Sequence, residues 1–246
     1  MKNNYTTWIG LPAFNEEKAI KNVLISITKL KLNNIRVILF NDGSSDKTID
    51  NCKQFEKRLR LNIIDNKQNQ GLGVAVYSIM KFFKKKSNNN DKLVLMDCDN
   101  THNPNQILQM IQKGNKKKNI VIIASRFQKR SKVINVPFIR NLLSYTAFFI
   151  FNILFKTKGV KDFTSGYRLY DKAVINNFFS IVGLKYKPAS GFEMQLEIIL
   201  QLRKINTYFS EIPIFLDYKK KFTKSKMKII KTIFNYLKLI FFKIYK

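Results

Sequence analysis

The feature that most limits the fold is a regular alternation in the first half of the chain. Apolar runs of strand length occupy residues 6–14, 35–40, 61–65, 92–97 and 119–127. Between them, segments 15–30, 46–59, 74–86 and 103–114 read as helices. A parallel pair of strands needs a crossover long enough to hold a helix, so the alternation predicts βαβ units and a mostly parallel sheet. In such sheets ligands bind beyond the carboxyl ends of the strands. Three polar clusters fall at those ends: PAFNEE (12–17), NDGSSD (41–46) and DCDNTH (97–102). Asn15 in the first is placed to cap the helix that follows. The convergence of the three clusters points to a site more strongly than any one of them.

After residue 127 the alternation fades. An apolar helix is predicted over 138–156, and a turn with a short strand over 162–171 (DFTSGYRLYD). An amphipathic helix is predicted over 191–204, a strand region over 207–219 and a basic, apolar-rich helix over 224–246. The uncharged run 141–155 is shorter than the ~20 residues of a spanning helix, so no transmembrane segment is expected. MKNNYTTWIG has no apolar core of a secretory signal.

Composition narrows the chemistry. With 45% hydrophobic residues the chain has ample material for a core. The net charge of +29 argues for polyanionic partners. Yet most of that charge is Lys in a sequence also rich in Asn and Ile, the look of an AT-rich coding background, and no nucleic-acid-reading motif is visible. No specific nucleic-acid partner is therefore expected. Cys52 and Cys98 form no ligand cluster and suit a reducing compartment. The single histidine, His102, excludes a multi-His metal site. GLG (71–73) is short of a dinucleotide fingerprint, and no G-K-[ST] follows it.

Asp97 and Asp99 leave the apolar run LVLM. On a strand, side chains two apart share a side, so the pair would face one way and could hold Mg²⁺ or Mn²⁺, hard ions that take oxygen ligands and substrate phosphates. A lone D-x-D is also ordinary turn chemistry. Thr101 either adds an oxygen to that ion or caps the next helix.

Taken in order, Pro12-Ala13-Phe14-Asn15-Glu16, NDGSSD, NQGLGVA, DCD, ASR, DFTSGYR, GFEMQLE, EIP and SK resemble a family 2 glycosyltransferase of GT-A fold, in particular the polyprenyl-phosphate group that includes the dolichol-phosphate mannosyltransferases. The likeness runs over about residues 6–228. It implies an α/β fold with a Rossmann-like sheet, helices on both faces and a C-terminal amphipathic extension. The implied division is a catalytic domain over 1–222 and a membrane-interfacial helix over 223–246.

The same resemblance implies roles. Pro12, Phe14, Glu16, Asn41 and Asp42 match the donor-nucleotide loops, and Asp97 and Asp99 the metal and diphosphate motif, with Thr101 at the position of a third ligand. Arg126, Arg140 and Ser144 match residues that hold the acceptor phosphate. Lys220 and Lys226 match a basic pair that closes on the donor. Only eight of the 45 basic residues are Arg, and an Arg fork fits phosphate better than Lys does. The chain departs from the family at Asn41, where the family has Asp, and at Thr101, where it has Gln. In KKFTKSK (220–226), Lys220 replaces an Arg and Thr223 a Gly.

The implied reaction moves a hexose, with mannose the first expectation, from a donor of the GDP-mannose or UDP-glucose class to polyprenyl phosphate, with inversion and a Mg²⁺ or Mn²⁺ cofactor. A lipid phosphate is already an oxyanion, whereas a hydroxyl acceptor needs a general base; Asp162 or Glu193 would supply it in that alternative. Glu193 and Glu197, four apart in GFEMQLE, either serve the site or pair with surface Lys, the second being expected. Lys224, Lys228, Lys231, Asn235 and Lys238 trace a polar stripe, the pattern of a helix on an anionic membrane surface or of a helix packed on the domain with a solvated Lys face. Peripheral attachment at the cytoplasmic face of a membrane is the expectation.

Overall fold

A computed structural model describes residues 5–223 and 226–244. Its strands are β1 (Thr7–Ala13), β2 (Ile35–Asp42), β3 (Asn62–Asn66), β4 (Lys92–Leu95), β5 (Ile120–Ser125), β6 (Lys132–Ile134), β7 (Arg168–Asp171), β8 (Tyr208–Pro213) and β9 (Phe215–Asp217). Its helices are α1 (Ile20–Thr28), α2 (Thr48–Lys53), α3 (Glu56–Leu59), α4 (Leu72–Lys86), α5 (Gln106–Gly114), α6 (Phe138–Phe155), α7 (Lys172–Val182), α8 (Glu193–Leu202) and α9 (Ile229–Ile244). The main sheet has the order β3-β2-β1-β4-β7-β5-β8. Only β7 runs antiparallel to its neighbours; the other pairings are parallel. The expected α/β fold with a mostly parallel sheet is the observed one. β6 and β9 form a separate parallel pair.

The two-residue period of β1 divides the core. Ile9, Leu11 and Ala13 face a layer built with α1, α2, α3 and α5, while Trp8 faces the layer of α4, α7 and α8. Gly10 lies on the Trp8 side: a Cβ there would meet Ile79 Cγ2 at 2.5 Å and Leu95 Cδ2 at 2.8 Å. The lack of a side chain lets α4 approach the sheet. Pro12 sits inside β1. The β1–β4 register ends at Gly10–Leu95, so the missing N–H of Pro12 leaves no β4 rung unmade.

Several boundaries differ from the sequence expectation. α1 begins at Ile20, with Ala19 at its N-cap, not at Asn15. The helix expected over 46–59 is two, α2 and α3, broken at Gln54 and Phe55. The segment 191–204 was expected to be amphipathic, but every residue of α8 except Gln201 is buried, because α4, α7 and α9 pack around it. Glu193 and Glu197 are therefore buried core residues, not members of a solvent-exposed face.

α6 is long and apolar enough to cross a membrane by length and composition, a length that the run 141–155 alone did not suggest. Phe138, Ile139, Leu142, Tyr145, Phe149, Ile153 and Leu154 are exposed on it, while Phe151 and Phe155 join the core. α9 meets α6 where the Tyr236 and Phe151 rings lie 5.2 Å apart. Of the expected polar stripe, Lys224 lies outside the described residues. Lys228, Lys231 and Lys238 are exposed, but Asn235 turns inward and donates to Glu193 Oε1 at 2.9 Å. Ile230, Phe234, Leu237 and Phe241 share the outer surface with the lysines.

Candidate active site

The site is assembled by loops at the carboxyl ends of β1, β2, β4 and β5. The β1 and β2 loops are laced together: the Asn15 N–H donates to Ser44 Oγ at 2.9 Å, and the Ser45 N–H to Asn15 Oδ1 at 2.9 Å. The Glu16 N–H donates to Thr48 Oγ1 at 2.8 Å and the Glu17 N–H to Asp46 Oδ2 at 3.0 Å. Asn15 adopts a φ of 50°, a conformation Asn tolerates better than most residues. Its side chain thus joins two loops instead of capping a helix. Cys98 Sγ, 2.9 Å from the Pro12 carbonyl, ties the β4 loop to the same edge.

Asp97 and Asp99 do not extend β4, which ends at Leu95. Their placement comes from a turn. Asp99 Oδ1 accepts the Thr101 N–H at 3.1 Å and the Thr101 hydroxyl at 2.6 Å, and Asn100 takes a φ of 69°. The Asp97 N–H donates to His102 Nδ1 at 3.1 Å, and the His102 ring is stacked on Tyr167 with centroids 4.7 Å apart. Asp97 stays 40% exposed, whereas Asp99 is 13% exposed. Thr101 is buried and orients Asp99; its hydroxyl is not turned out as a ligand.

The segment that follows β9 closes over these carboxylates. Lys221 Nζ pairs with Asp99 Oδ2. Lys226 Nζ bonds the Phe14 carbonyl, the Asn15 carbonyl at 2.8 Å and Glu16 Oε1. The Thr223 hydroxyl donates to Glu16 Oε2 at 3.1 Å. Lys220, the expected member of the basic pair, is exposed and contributes its backbone carbonyl to Asn100 at 3.3 Å.

These contacts set the carboxyl groups apart. Burial pushes Glu16 up, only partly offset by Lys226 and Thr223. Although part of its side chain stays open, the protein packed around Asp97 and the neighbouring Asp99 charge push it up against the pull of His102 and Lys221. Asp99 is buried too, but Lys221 and Thr101 outweigh that and hold it below the ordinary carboxylate range. Among the described residues no group of three or more His, Cys, Asp and Glu is arranged to hold a metal alone. The donor set nevertheless suits a hard ion: two carboxylates, one partly open to solvent, with an ammonium already resting on the other.

Asn41 and Asp42, both buried at the end of β2, brace the neighbouring loops. Asp42 accepts the Gln70 and Gly71 N–H groups, one on each oxygen, both at 2.8 Å. That pins the turn before α4, where Gly71 has a φ of 97° and a Cβ at Gly73 would lie 1.8 Å from the Ala189 carbonyl. Asn41 Nδ2 donates to Asp65 Oδ1 at 2.6 Å, its cross-strand partner in β3. An Asp at 41 would set two carboxylates face to face, which gives a local reason for Asn.

At the end of β5, Arg126 grips Asp162: Nε to Oδ2 at 2.8 Å, Nη2 to Oδ1 at 2.7 Å and the backbone N–H to Oδ2 at 3.0 Å. Asp162 is fully buried, and Arg126 is 25% exposed. Burial alone would push Asp162 up, but the guanidinium prevails and holds it low. Glu211 fixes the Asp162 loop from below by accepting the Lys161 and Asp162 N–H groups at 2.6 and 2.7 Å. Arg140 and Ser144 lie four apart on α6, hence on one face. Arg140 Nη1 donates to Tyr218 Oη at 2.6 Å, and Ser144 Oγ is buried without a hydrogen-bond partner.

The structure thus brings Phe14, Glu16, Asp97, Asp99 and Lys226 together, with the Arg126 charge near enough to act on Asp97, while Arg140 and Ser144 share one face of α6 and Arg140 reaches Tyr218. Lys221 was missed in the sequence because it is one of many lysines and only the fold brings it to Asp99. The clamp role of Asp162 was missed because only the fold brings DFT beside ASR.

The family model for glycosyl transferase family 2 matches residues 8–179. A dolichol-phosphate mannosyltransferase of Pyrococcus furiosus is 29% identical over 233 residues, 94% of this chain and 61% of that protein. The chain therefore spans about three-fifths of the length of that relative. A UDP-N-acetylglucosamine–dolichyl-phosphate N-acetylglucosaminyltransferase of Methanococcus voltae is 26% identical over 224 residues, covering 86% of this chain and 85% of that one. Among solved structures, a glucosyl-3-phosphoglycerate synthase of Mycobacterium tuberculosis, in complex with Mn²⁺, UDP and phosphoglyceric acid, superposes with a TM-score of 0.64 at 14% identity, covering 97% of this chain and 76% of that one. That likeness places the fold among GT-A structures.

Proposed function

Because this chain belongs to glycosyl transferase family 2, we propose that it moves a hexose from a nucleotide-diphosphate sugar to the phosphate of a polyprenol at a membrane surface. The observation that carries this reading is the meeting of the β1 and β4 loops and the closing segment around Glu16, Asp97 and Asp99, with two ammonium groups inserted among them. Mannose is the sugar we propose, after the longer-matching relative, with N-acetylglucosamine as the competing donor sugar. Asp97 and Asp99 would hold the divalent ion, as the fold's Mn²⁺-bearing neighbour suggests. When bound, that ion supplies positive charge to the leaving diphosphate.

The chain's own groups do the rest. Arg126, Arg140 and Ser144 hold the acceptor phosphate, whose oxyanion attacks the anomeric carbon in line as the bond to the donor diphosphate breaks, with inversion. Placement of the two reactants is the principal contribution. No proton has to leave a phosphate oxyanion, which suits the state of the candidate bases. Both oxygens of Asp162 are taken by Arg126, and Glu193 is buried with Oε1 holding Asn235 and the Gly191 N–H. Glu193 Oε2 is enclosed without a hydrogen-bond partner among the described residues, and both carboxyl groups are buried, whereas a hydroxyl acceptor would demand a base it can reach.

A polyprenyl acceptor places the enzyme at a bilayer. The outward apolar side chains of α6 and α9, flanked by Lys228, Lys231 and Lys238, suit an interfacial attachment to anionic lipid, which we place at the cytoplasmic face. Burying a Phe or Leu side chain contributes about 1.5–3 kcal/mol. The double variant Phe234→Glu/Leu237→Glu is therefore expected to bind anionic vesicles at least tenfold more weakly in a sedimentation assay, with an unchanged melting temperature.

The function is tested by incubating the protein with labelled GDP-mannose, UDP-N-acetylglucosamine or UDP-glucose, Mn²⁺ and vesicles carrying dolichyl phosphate. A chloroform-soluble labelled product is expected with one donor. No such product with any donor, or label passing only to a soluble glycan acceptor, would contradict the reading.

A further inference from the structure

We propose that Lys221 is a tethered counter-cation of Asp99 which a divalent ion must displace, and that the freed ammonium then pairs with the donor's diphosphate. The inference rests on the donor site proposed above and adds a residue and an order of events to it. Asp99 Oδ1 is engaged by the N–H and hydroxyl of Thr101. Oδ2 is thus the oxygen left to meet an incoming ion, and Lys221 Nζ sits on it. The pair is shielded, with side-chain exposures of 15% and 13%, so water screens the contact little. An ammonium and a divalent ion on one carboxylate oxygen repel each other. Loading the ion and releasing Lys221 are then one exchange.

The surroundings allow the lysine to move without unfolding its segment. On one side Asn100 holds the Lys220 carbonyl and Asn135 Nδ2 bonds Asp217 Oδ1 at 2.9 Å. On the other, Thr223 and Lys226 hold Glu16. The segment stays anchored while the four-carbon stem of Lys221 rotates. Charge balance supplies the direction. Three carboxylates, Glu16, Asp97 and Asp99, face two ammonium groups, Lys221 and Lys226. A divalent ion turns this cluster cationic, and an arriving diphosphate restores the balance, with the released Lys221 beside it. Lys226 keeps Glu16 throughout, so the two lysines divide the work: one holds the β1 loop and one exchanges.

The test is Mn²⁺ binding followed by the loss of its free electron paramagnetic resonance signal, on the wild-type chain, Lys221→Met and Lys221→Arg, first alone and then with GDP or UDP at saturating Mn²⁺. For Lys221→Met, Mn²⁺ is expected to bind about tenfold more tightly without nucleotide, and the nucleoside diphosphate about tenfold more weakly with Mn²⁺ present, the scale of one charge-assisted hydrogen bond. Lys221→Arg keeps the charge and is expected to stay within about threefold of wild type on both readouts. Opposite shifts from one substitution are the signature. Unchanged Mn²⁺ affinity in Lys221→Met, two shifts of the same sign, or Lys221→Arg behaving like Lys221→Met overturns the exchange while leaving the donor site in place. Failure of the wild type and Lys221→Met alike to bind Mn²⁺ removes the cation site itself, and the exchange with it.

Discussion

Asp99→Asn is expected to lower sugar transfer on the order of 10²–10³-fold, the loss typical when one preorganised charge-stabilising group is removed from a reaction centre. Asn preserves the shape of the turn: its carbonyl oxygen can still accept the Thr101 N–H and hydroxyl that Asp99 Oδ1 accepts. What it removes is the negative charge that would hold the divalent ion and that Lys221 neutralises. The expected pattern is a fall in kcat with vesicle binding little altered, since the outer faces of α6 and α9 are untouched. Radiolabelled transfer at saturating donor and Mn²⁺ measures it. Transfer within tenfold of wild type would show that Asp99 does not act on the leaving diphosphate.

The largest effect on stability is expected at Asp162. It is fully buried and meets Arg126 through two guanidinium bonds, with further N–H donors from Arg126, Thr164 and Ser165. Asp162→Asn leaves the guanidinium facing a neutral group, and breaking a buried pair from one side costs about 3–5 kcal/mol. Arg126 keeps some solvent contact, so the lower end, about 3 kcal/mol, is expected in urea unfolding at pH 7. The pH dependence carries a defined sign. The folded-state pKa of Asp162 is depressed, chiefly because Arg126 outweighs its burial. Its contribution is therefore fully present above the unfolded-state value of about 3.9 and is lost as pH falls through the lower folded value. Wild type should lose stability below about pH 4 more steeply than Asp162→Asn. Equal stability of the two proteins at pH 7 would remove the clamp from the account.

The sheet was legible because strand and helix periods alternate cleanly through residue 127, and the polar clusters that end the strands mark its carboxyl edge. The turn at Asp97 to His102 was less so. The sequence carries β-type apolar character up to Met96, but β4 stops at Leu95, and the Asp pair is placed by the Thr101 and His102 contacts instead of by strand alternation. Asn15 has the composition of a helix cap, yet its two bonds to the Ser44–Ser45 loop depend on a neighbour thirty residues away. Glu193 and Glu197 sit at a spacing that suits surface ion pairs; the covering of α8 by α9 makes them core residues, a packing event that spacing does not encode. Asn235 shows the same effect, since a polar residue in line with lysines turned out to face Glu193. Local period was readable; contacts between distant segments were not.

The central claim is that Asp97 and Asp99 hold a divalent ion through which the donor diphosphate is bound. Thermal unfolding of the wild type and Asp97→Asn, with GDP-mannose or UDP-N-acetylglucosamine and with Mn²⁺ or a chelator, tests it most directly. The account predicts a rise in wild-type melting temperature when one nucleotide sugar and Mn²⁺ are present together, little change with either alone, and loss of the joint effect in Asp97→Asn. Equal stabilisation by the nucleotide sugar in chelator, or an undiminished joint effect in Asp97→Asn, would contradict it.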